Sequence, residues 1–232
     1  MTLSPRHWLA VLALSGLPGW GCLPDDPIDD NDPFGDDDDD FSPSDPEDCP
    51  IWAPEYKVGY ERHFVVTDDS DRVATYKGLQ PWQGGVYWRD EVVSVDLGEV
   101  ETWVYDHCRD GNLFRVGMEE PDGTLTLFNP PVLQLSTELD PGSAWTSEYM
   151  LLFREFTERY EVQGIETLEI AAGTFDALHV SMRLSYVENG EPIILYWENY
   201  YVEELGLVAQ ESTTPTYFEL VSYTMPEEWE AG

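Results

Sequence analysis

Three cysteines, four histidines and 47 acidic residues are the groups of this 232-residue chain that could carry chemistry. A metal centre needs His, Cys or carboxylates clustered at ligand spacing, and neither C-x-x-C nor H-E-x-x-H occurs. His107 and Cys108 are neighbours, so on a strand they point to opposite faces and cannot easily share a metal. A nucleophilic enzyme needs Ser or Cys beside a general base, and there is no G-x-S-x-G. Carboxylate pairs arise by chance in so acidic a chain. No catalytic residue, metal ligand or cofactor is therefore assigned, and an acid-rich hydrolase stands only as a third reading. The run Asp36–Asp40 lacks the D-x-D-x-D-G spacing of a calcium loop and attracts counter-ions loosely.

The cysteines carry more information. Arg6 and His7 precede the apolar run Trp8–Leu17, ten residues that are too few to span a bilayer. Leu17-Pro18-Gly19-Trp20-Gly21-Cys22 follows, and Gly21-Cys22 fits a bacterial lipobox, whose cysteine is diacylated before cleavage. Trp20 stands where a small residue is usual. Residues 1–21 read as a lipoprotein signal peptide and Cys22 as the lipidated residue; two or more acyl chains anchor stably where one does not. If Cys22 is lipidated, Cys49 and Cys108 remain as an even pair in an oxidising compartment, either joined as a disulfide or left as two free thiols.

Charge and composition frame these residues. The net charge of −36 excludes a nucleic-acid binder and argues against docking on anionic lipid through surface charge. Residues 23–50 hold 13 acidic residues, six prolines and no Lys or Arg. Such a segment cannot bury enough apolar area to offset chain entropy, and its charges extend it. Residues 22–50 are thus expected to be a lipidated cysteine with a disordered tether, spanning ~30 Å as a flexible chain and ~90 Å at full stretch. Residues 51–226 are the expected folded domain, and 227–232 an acidic tail.

Within that domain the pattern is period-two alternation between turn signals. Asp110-Gly111, Asp122-Gly123 and Asn189-Gly190 each suit a type I′ hairpin turn. The first predicts the pairs Cys108–Leu113, His107–Phe114, Asp106–Arg115 and Tyr105–Val116. One face then collects Trp103, Tyr105, His107, Phe114, Val116 and Met118, which makes His107 a core or rim histidine. Asn189-Gly190 predicts Tyr186–Ile193, Leu184–Leu195, Met182–Trp197, Val180–Asn199 and Leu178–Tyr201 on one face. His179 and Arg183 lie on the opposite, mixed face, with Arg183 diagonal to Glu198 and within reach of a salt bridge. Further strands are expected at 60–66, 85–95, 145–153, 165–170, 206–211 and 218–224. About ten strands in antiparallel order point to a large curved sheet with few or no helices outside the signal peptide.

Leu168-Glu169-Ile170-Ala171-Ala172-Gly173-Thr174-Phe175, running on to Val180, resembles the A-A-G-T-F hairpin of TapB-like bacterial envelope proteins. Tyr196-Trp197 and Glu204-Leu205-Gly206-Leu207-Val208 are similar to that family's aromatic strand and G-x-G-L-V return, with Glu204 in place of the first glycine. Pro141-Gly142-Ser143-Ala144-Trp145 resembles its Gly-x-x-W element. The resemblance implies an antiparallel half-barrel broadly like LolA and LolB, and it carries over no catalytic residues.

The expectation is an exported lipoprotein, anchored to the cell envelope through lipid, on the outer membrane of a Gram-negative bacterium. Its non-enzymatic module would bind a lipid or other apolar ligand on a concave face made by Leu178, Val180, Met182, Leu184, Leu195 and Trp197. The alternative is a structural or assembly protein of the envelope that acts through protein contacts.

Overall fold

The computed structural model describes residues 49–54, 57–66, 70–151, 153–212 and 217–225. Cys22, the signal peptide, almost all of the tether and the acidic tail lie outside the described residues. Among the described residues twelve strands form the fold. They are β1 (Glu61–Val66), β2 (Asp71–Trp82), β3 (Gly85–Ser94), β4 (Glu99–Arg109), β5 (Asn112–Glu119) and β6 (Leu125–Leu135), then β7 (Ala144–Leu151), β8 (Arg154–Ile170), β9 (Gly173–Glu188), β10 (Glu191–Val202), β11 (Gly206–Ser212) and β12 (Tyr217–Thr224). There is no helix among the described residues.

Each strand pairs antiparallel with the next, and β1 pairs with β12, so the sheet closes into a barrel. This corrects the expected open half-barrel. Whether the two ends of a sheet meet depends on accumulated twist and tilt, and local alternation carries no record of either. Two strands also escape the sequence pattern. In β2 the ladder shifts across Lys77-Gly78, and β6 carries Asn129-Pro130-Pro131. The expected strand at 165–170 is the far end of the 17-residue β8.

The hairpin signals set register as their chemistry requires. Asp110 and Gly111 have φ of 52° and 74°, and Asn189 and Gly190 have 52° and 84°, the positive pair that a type I′ turn needs. All five expected β9–β10 pairs occur. In β4–β5 three of four occur, and then a bulge places Tyr105 opposite Gly117 instead of Val116. Asp122-Gly123 makes a different turn, because only Gly123 has positive φ and the Asp122 carboxylate accepts from the Thr124 N–H at 2.8 Å.

The aromatic face of this hairpin points outward, a second correction. Asp106, Cys108 and Leu113 are buried on the inner face, while Trp82 stacks on Tyr105 outside, with ring centroids 4.0 Å apart. Tyr87 and Val116 complete this outer cluster, with Trp103 packed against it. His107 meets Tyr87 edge to face there, and burial pushes its pKa down. A half-barrel reading puts the most apolar face inside; a closed barrel filled from twelve strands can leave an aromatic layer outside.

The two ends of the barrel differ. One carries the turns at 83–84, 110–111, 171–172 and 203–205, and residues 49–54 lie across it. Ala53 and Tyr60 are buried in the main core. The Ile51 carbonyl accepts from the Glu204 N–H at 3.0 Å, and Pro54 bridges Leu205. Gly206 (φ +76°) lies so close to Pro54 that a Cβ there would stand 2.9 Å from the Pro54 nitrogen. Cys49 and Cys108 are joined as a disulfide with Cα atoms 5.0 Å apart, pinning the segment to β4. The other end carries the turns at 95–98, 120–124 and 189–190.

Candidate functional site

The six residues expected to form a concave face do share one face. Leu178, Val180, Met182, Leu184 and Trp197 are buried and Leu195 is half-buried. That face is the inner wall of the closed barrel, packed against Phe156, Tyr160 and Val162 of β8 within the same core. Met182 and Leu184 border an interior cavity of about 40 Å³, room for little more than a water or two.

Around this cavity the interior is polar. Arg115 Nε donates to Asp106 Oδ1 at 3.0 Å, and its Nη2 reaches Oδ2 at 3.4 Å. The Tyr149 hydroxyl donates to Glu158 at 2.8 Å, and Tyr160 donates to the other Glu158 oxygen. Gln210 Nε2 donates to Asn199 Oδ1 at 2.7 Å. Burial raises the pKa of both Asp106 and Glu158, opposed by Arg115 at the first and by the two tyrosines at the second. Removal from water favours the neutral acid, whereas donors and a nearby cation favour the carboxylate. Sequence reasoning passed over Glu158 and Arg62, though a signal existed. Glu158 shares parity with Phe156, Tyr160 and Val162, and Arg62 with Tyr60 and Phe64, so each is a charge on an apolar face.

A larger cavity of about 110 Å³ opens at the end opposite residues 49–54. Its walls are Phe64, Val66, Ala74, Val92, Val104 and Phe218, with Phe64 and Phe218 edge to face at 5.3 Å. Arg62, Asp90, Arg72 and Arg115 also line it. Arg62 Nη2 meets Asp90 Oδ2 at 2.5 Å, and Arg72 Nε meets Glu101 at 2.5 Å. The strands supply these residues by parity: Arg62, Phe64 and Val66 alternate inward on β1, opposite Arg72 and Ala74 on β2 and Asp90 and Val92 on β3.

On the outer wall, Glu198 is engaged by His179 at 2.7 Å and Ser181 at 2.8 Å, rather than by Arg183 as its diagonal position suggested. His179 stacks on Tyr200, and its Nδ1 lies 3.2 Å from Glu166. Glu188 and Glu191 face each other beside the turn, and Arg154 bonds Glu188 at 3.0 Å. Among the described residues no three His, Cys, Asp or Glu side chains are grouped to hold a metal.

No family model matches the chain, and no curated protein matches it. Solved structures do. A protein classed as a lipoprotein from Parabacteroides distasonis is 14% identical with a TM-score of 0.50, covering 76% of this chain and 99% of its own. A protein classed as exported, with a YmcC-like fold, from Bacteroides fragilis is 17% identical with a TM-score of 0.47, covering 76% and 100%. The first likeness shows a shared fold.

Proposed function

We propose that this chain is an exported lipoprotein whose barrel holds the apolar end of a lipid or similar ligand in its mouth, without catalysing a reaction. The 110 Å³ mouth cavity carries this reading. It compares with the ~150 Å³ that suffices to hold a benzene ring, so it takes the end of a molecule and not a whole acyl chain. The concave face named from sequence is then the packed wall behind the site. The anchor on Cys22 and the acidic tether would join the barrel through Cys49, at the end opposite the mouth, so the tether does not cross the mouth. The motif resemblance to TapB-like envelope proteins supports the reading, as does the shared fold with a protein classed as a lipoprotein. An outer-membrane location in a Gram-negative envelope belongs to the same proposal.

The test uses the full chain with Cys22→Ser, exported so that Cys49 and Cys108 can oxidise. Native mass spectrometry followed by organic extraction should find a discrete apolar mass. A clean apo mass that takes up neither dodecanoate nor a lysophospholipid overturns the ligand reading. Palmitate labelling of the wild type but not of Cys22→Ser tests the anchor.

A second reading, assembly through protein contacts, is favoured by the outer wall near the mouth end. Leu125, Leu127, Met150 and Phe153 are all exposed there, Phe153 at 90%. Crosslinking from Phe153 to an envelope protein, combined with a clean apo mass, would select it.

A further inference from the structure

We infer that Arg159 and Arg183 form a site on the outer wall for a phosphate monoester. The site lies apart from the mouth cavity and does not depend on the ligand reading above. Strands β7, β8, β9 and β10 run side by side, and one row across them reads Thr146, Arg159, Arg183, Tyr196. Arg159 and Arg183 are thus like charges directly opposite each other, both exposed, an arrangement that destabilises a sheet by itself. The chain has 47 acids to offset 11 Lys and Arg. The other described arginines use such groups: an acid pairs with Arg62, Arg72, Arg109, Arg115 and Arg154, and Arg89 lies over the Trp103 ring. Neither Arg159 nor Arg183 forms an ion pair among the described residues. Glu198, diagonal to Arg183, is taken by His179 and Ser181. Glu148 and Glu161 stand in the adjoining rows and meet neither arginine.

Two guanidinium forks on neighbouring strands present paired N–H donors to one tetrahedral oxyanion. Paired strands stand about 4.8 Å apart, so both forks can close on a single phosphate. A phosphate monoester carries about −1.5 to −2 charge at neutral pH and offsets both arginines, where a carboxylate offsets one. Thr146 and Tyr196 place a hydroxyl at either end of the row, and no acid stands in it. The net charge of the chain repels a bare anion. The exposed Tyr196 and Ile194 beside Arg183 give the organic part of an ester an apolar face to lie on.

The experiment titrates the exported Cys22→Ser full chain with phenyl phosphate and benzoate, followed by backbone NMR shifts. Phenyl phosphate should move the amides of Arg159, Arg183 and Tyr196 and bind about tenfold tighter than benzoate, the scale of one charge-assisted hydrogen bond. Arg159→Gln and Arg183→Gln should each weaken it about tenfold. Arg154→Gln removes the same charge beside Glu188 and should leave the affinity unchanged. Equal weakening by Arg154→Gln would mean attraction to charge in general and overturns the site. Benzoate binding as tightly as phenyl phosphate overturns the phosphate assignment. Phosphatidylcholine vesicles with and without phosphatidic acid separate the sources of the phosphate. Cosedimentation that requires phosphatidic acid and both arginines places it on a lipid head group. Binding of phenyl phosphate without cosedimentation places it on a soluble ester. No shift with phenyl phosphate and no cosedimentation with phosphatidic acid overturns the inference and leaves the mouth cavity untouched.

Discussion

Asp106 and Arg115 face each other across β4 and β5 inside the barrel, joined by two hydrogen bonds, with their side chains only 8% and 13% exposed. On a surface hairpin this pair would contribute little. Inside, its main energetic property is asymmetry, because losing one partner strands the other. Arg115→Met should cost about 3–5 kcal/mol, and Asp106→Leu combined with Arg115→Met should cost far less than that. Urea unfolding of the single and double variants decides this. A double variant as unstable as Arg115→Met would mean that the pair is not an isolated buried unit.

Glu158 should give the barrel a pH signature. Its folded pKa lies above the ordinary 4.5 because burial outweighs the two tyrosine donors. Below the ordinary value both folded and unfolded chains hold the proton. As pH rises, the unfolded chain loses it first, so this group's contribution to stability falls until the folded pKa is passed. Glu158→Gln keeps an acceptor oxygen for one of the two tyrosines, presents its N–H₂ to the hydroxyl oxygen of the other, and removes the ionisation. The stability difference between variant and wild type should shift in favour of the variant as pH rises above 4.5. A difference that stays flat with pH would show that Glu158 titrates as it does in the unfolded chain.

The disulfide pins residues 49–54 across one end. Cysteines 59 residues apart close a loop worth roughly 4 kcal/mol on the chain-entropy model. Cys108→Ser should therefore lower stability by up to about that amount. Amide exchange should rise first at Ala53, whose N–H bonds the Pro50 carbonyl within the segment, and at Glu204, whose N–H bonds the Ile51 carbonyl and ties the segment to the barrel. Protection at those amides that survives the substitution would mean that the Pro54–Leu205 contacts suffice without the crosslink.

The β6–β7 seam should open before any other. Among the described residues these strands share a single ladder pair, Asn129 with Met150, because Pro130 and Pro131 have no N–H to offer. Side chains replace the ladder: the Leu133 N–H donates to the Ser147 hydroxyl at 3.0 Å, and the Leu133 carbonyl accepts from Trp145 Nε1 at 3.1 Å. Native-state hydrogen exchange should protect β6 least and the β8–β9 pair most. Ser147→Ala should lower stability by about 1–2 kcal/mol and speed exchange at Leu133. Uniform protection around the barrel would show that the seam is as firm as the ladders.

Local chemistry made much of this fold legible. Asn189-Gly190 specified the whole β9–β10 register, because a type I′ turn leaves one pairing and one pairing assigns every side chain to a face. Cysteine parity singled out Cys49 and Cys108, and alternation from Leu178 to Leu184 marked an inner wall. Three things came only with the tertiary structure. Closure depends on the summed twist of twelve strands, so no single strand records that β1 meets β12. The inward turn of Asp106 and Arg115 depends on what lies on each side of the hairpin, and a bulge at Val116 then moved Met118 to the inner wall, which a strict period of two cannot foresee. The mouth cavity is assembled from residues as distant as Phe64, Val92 and Phe218. They meet because β12, β1, β2 and β3 lie side by side once β1 pairs with β12, and that proximity is a property of the closed barrel and of no segment within it.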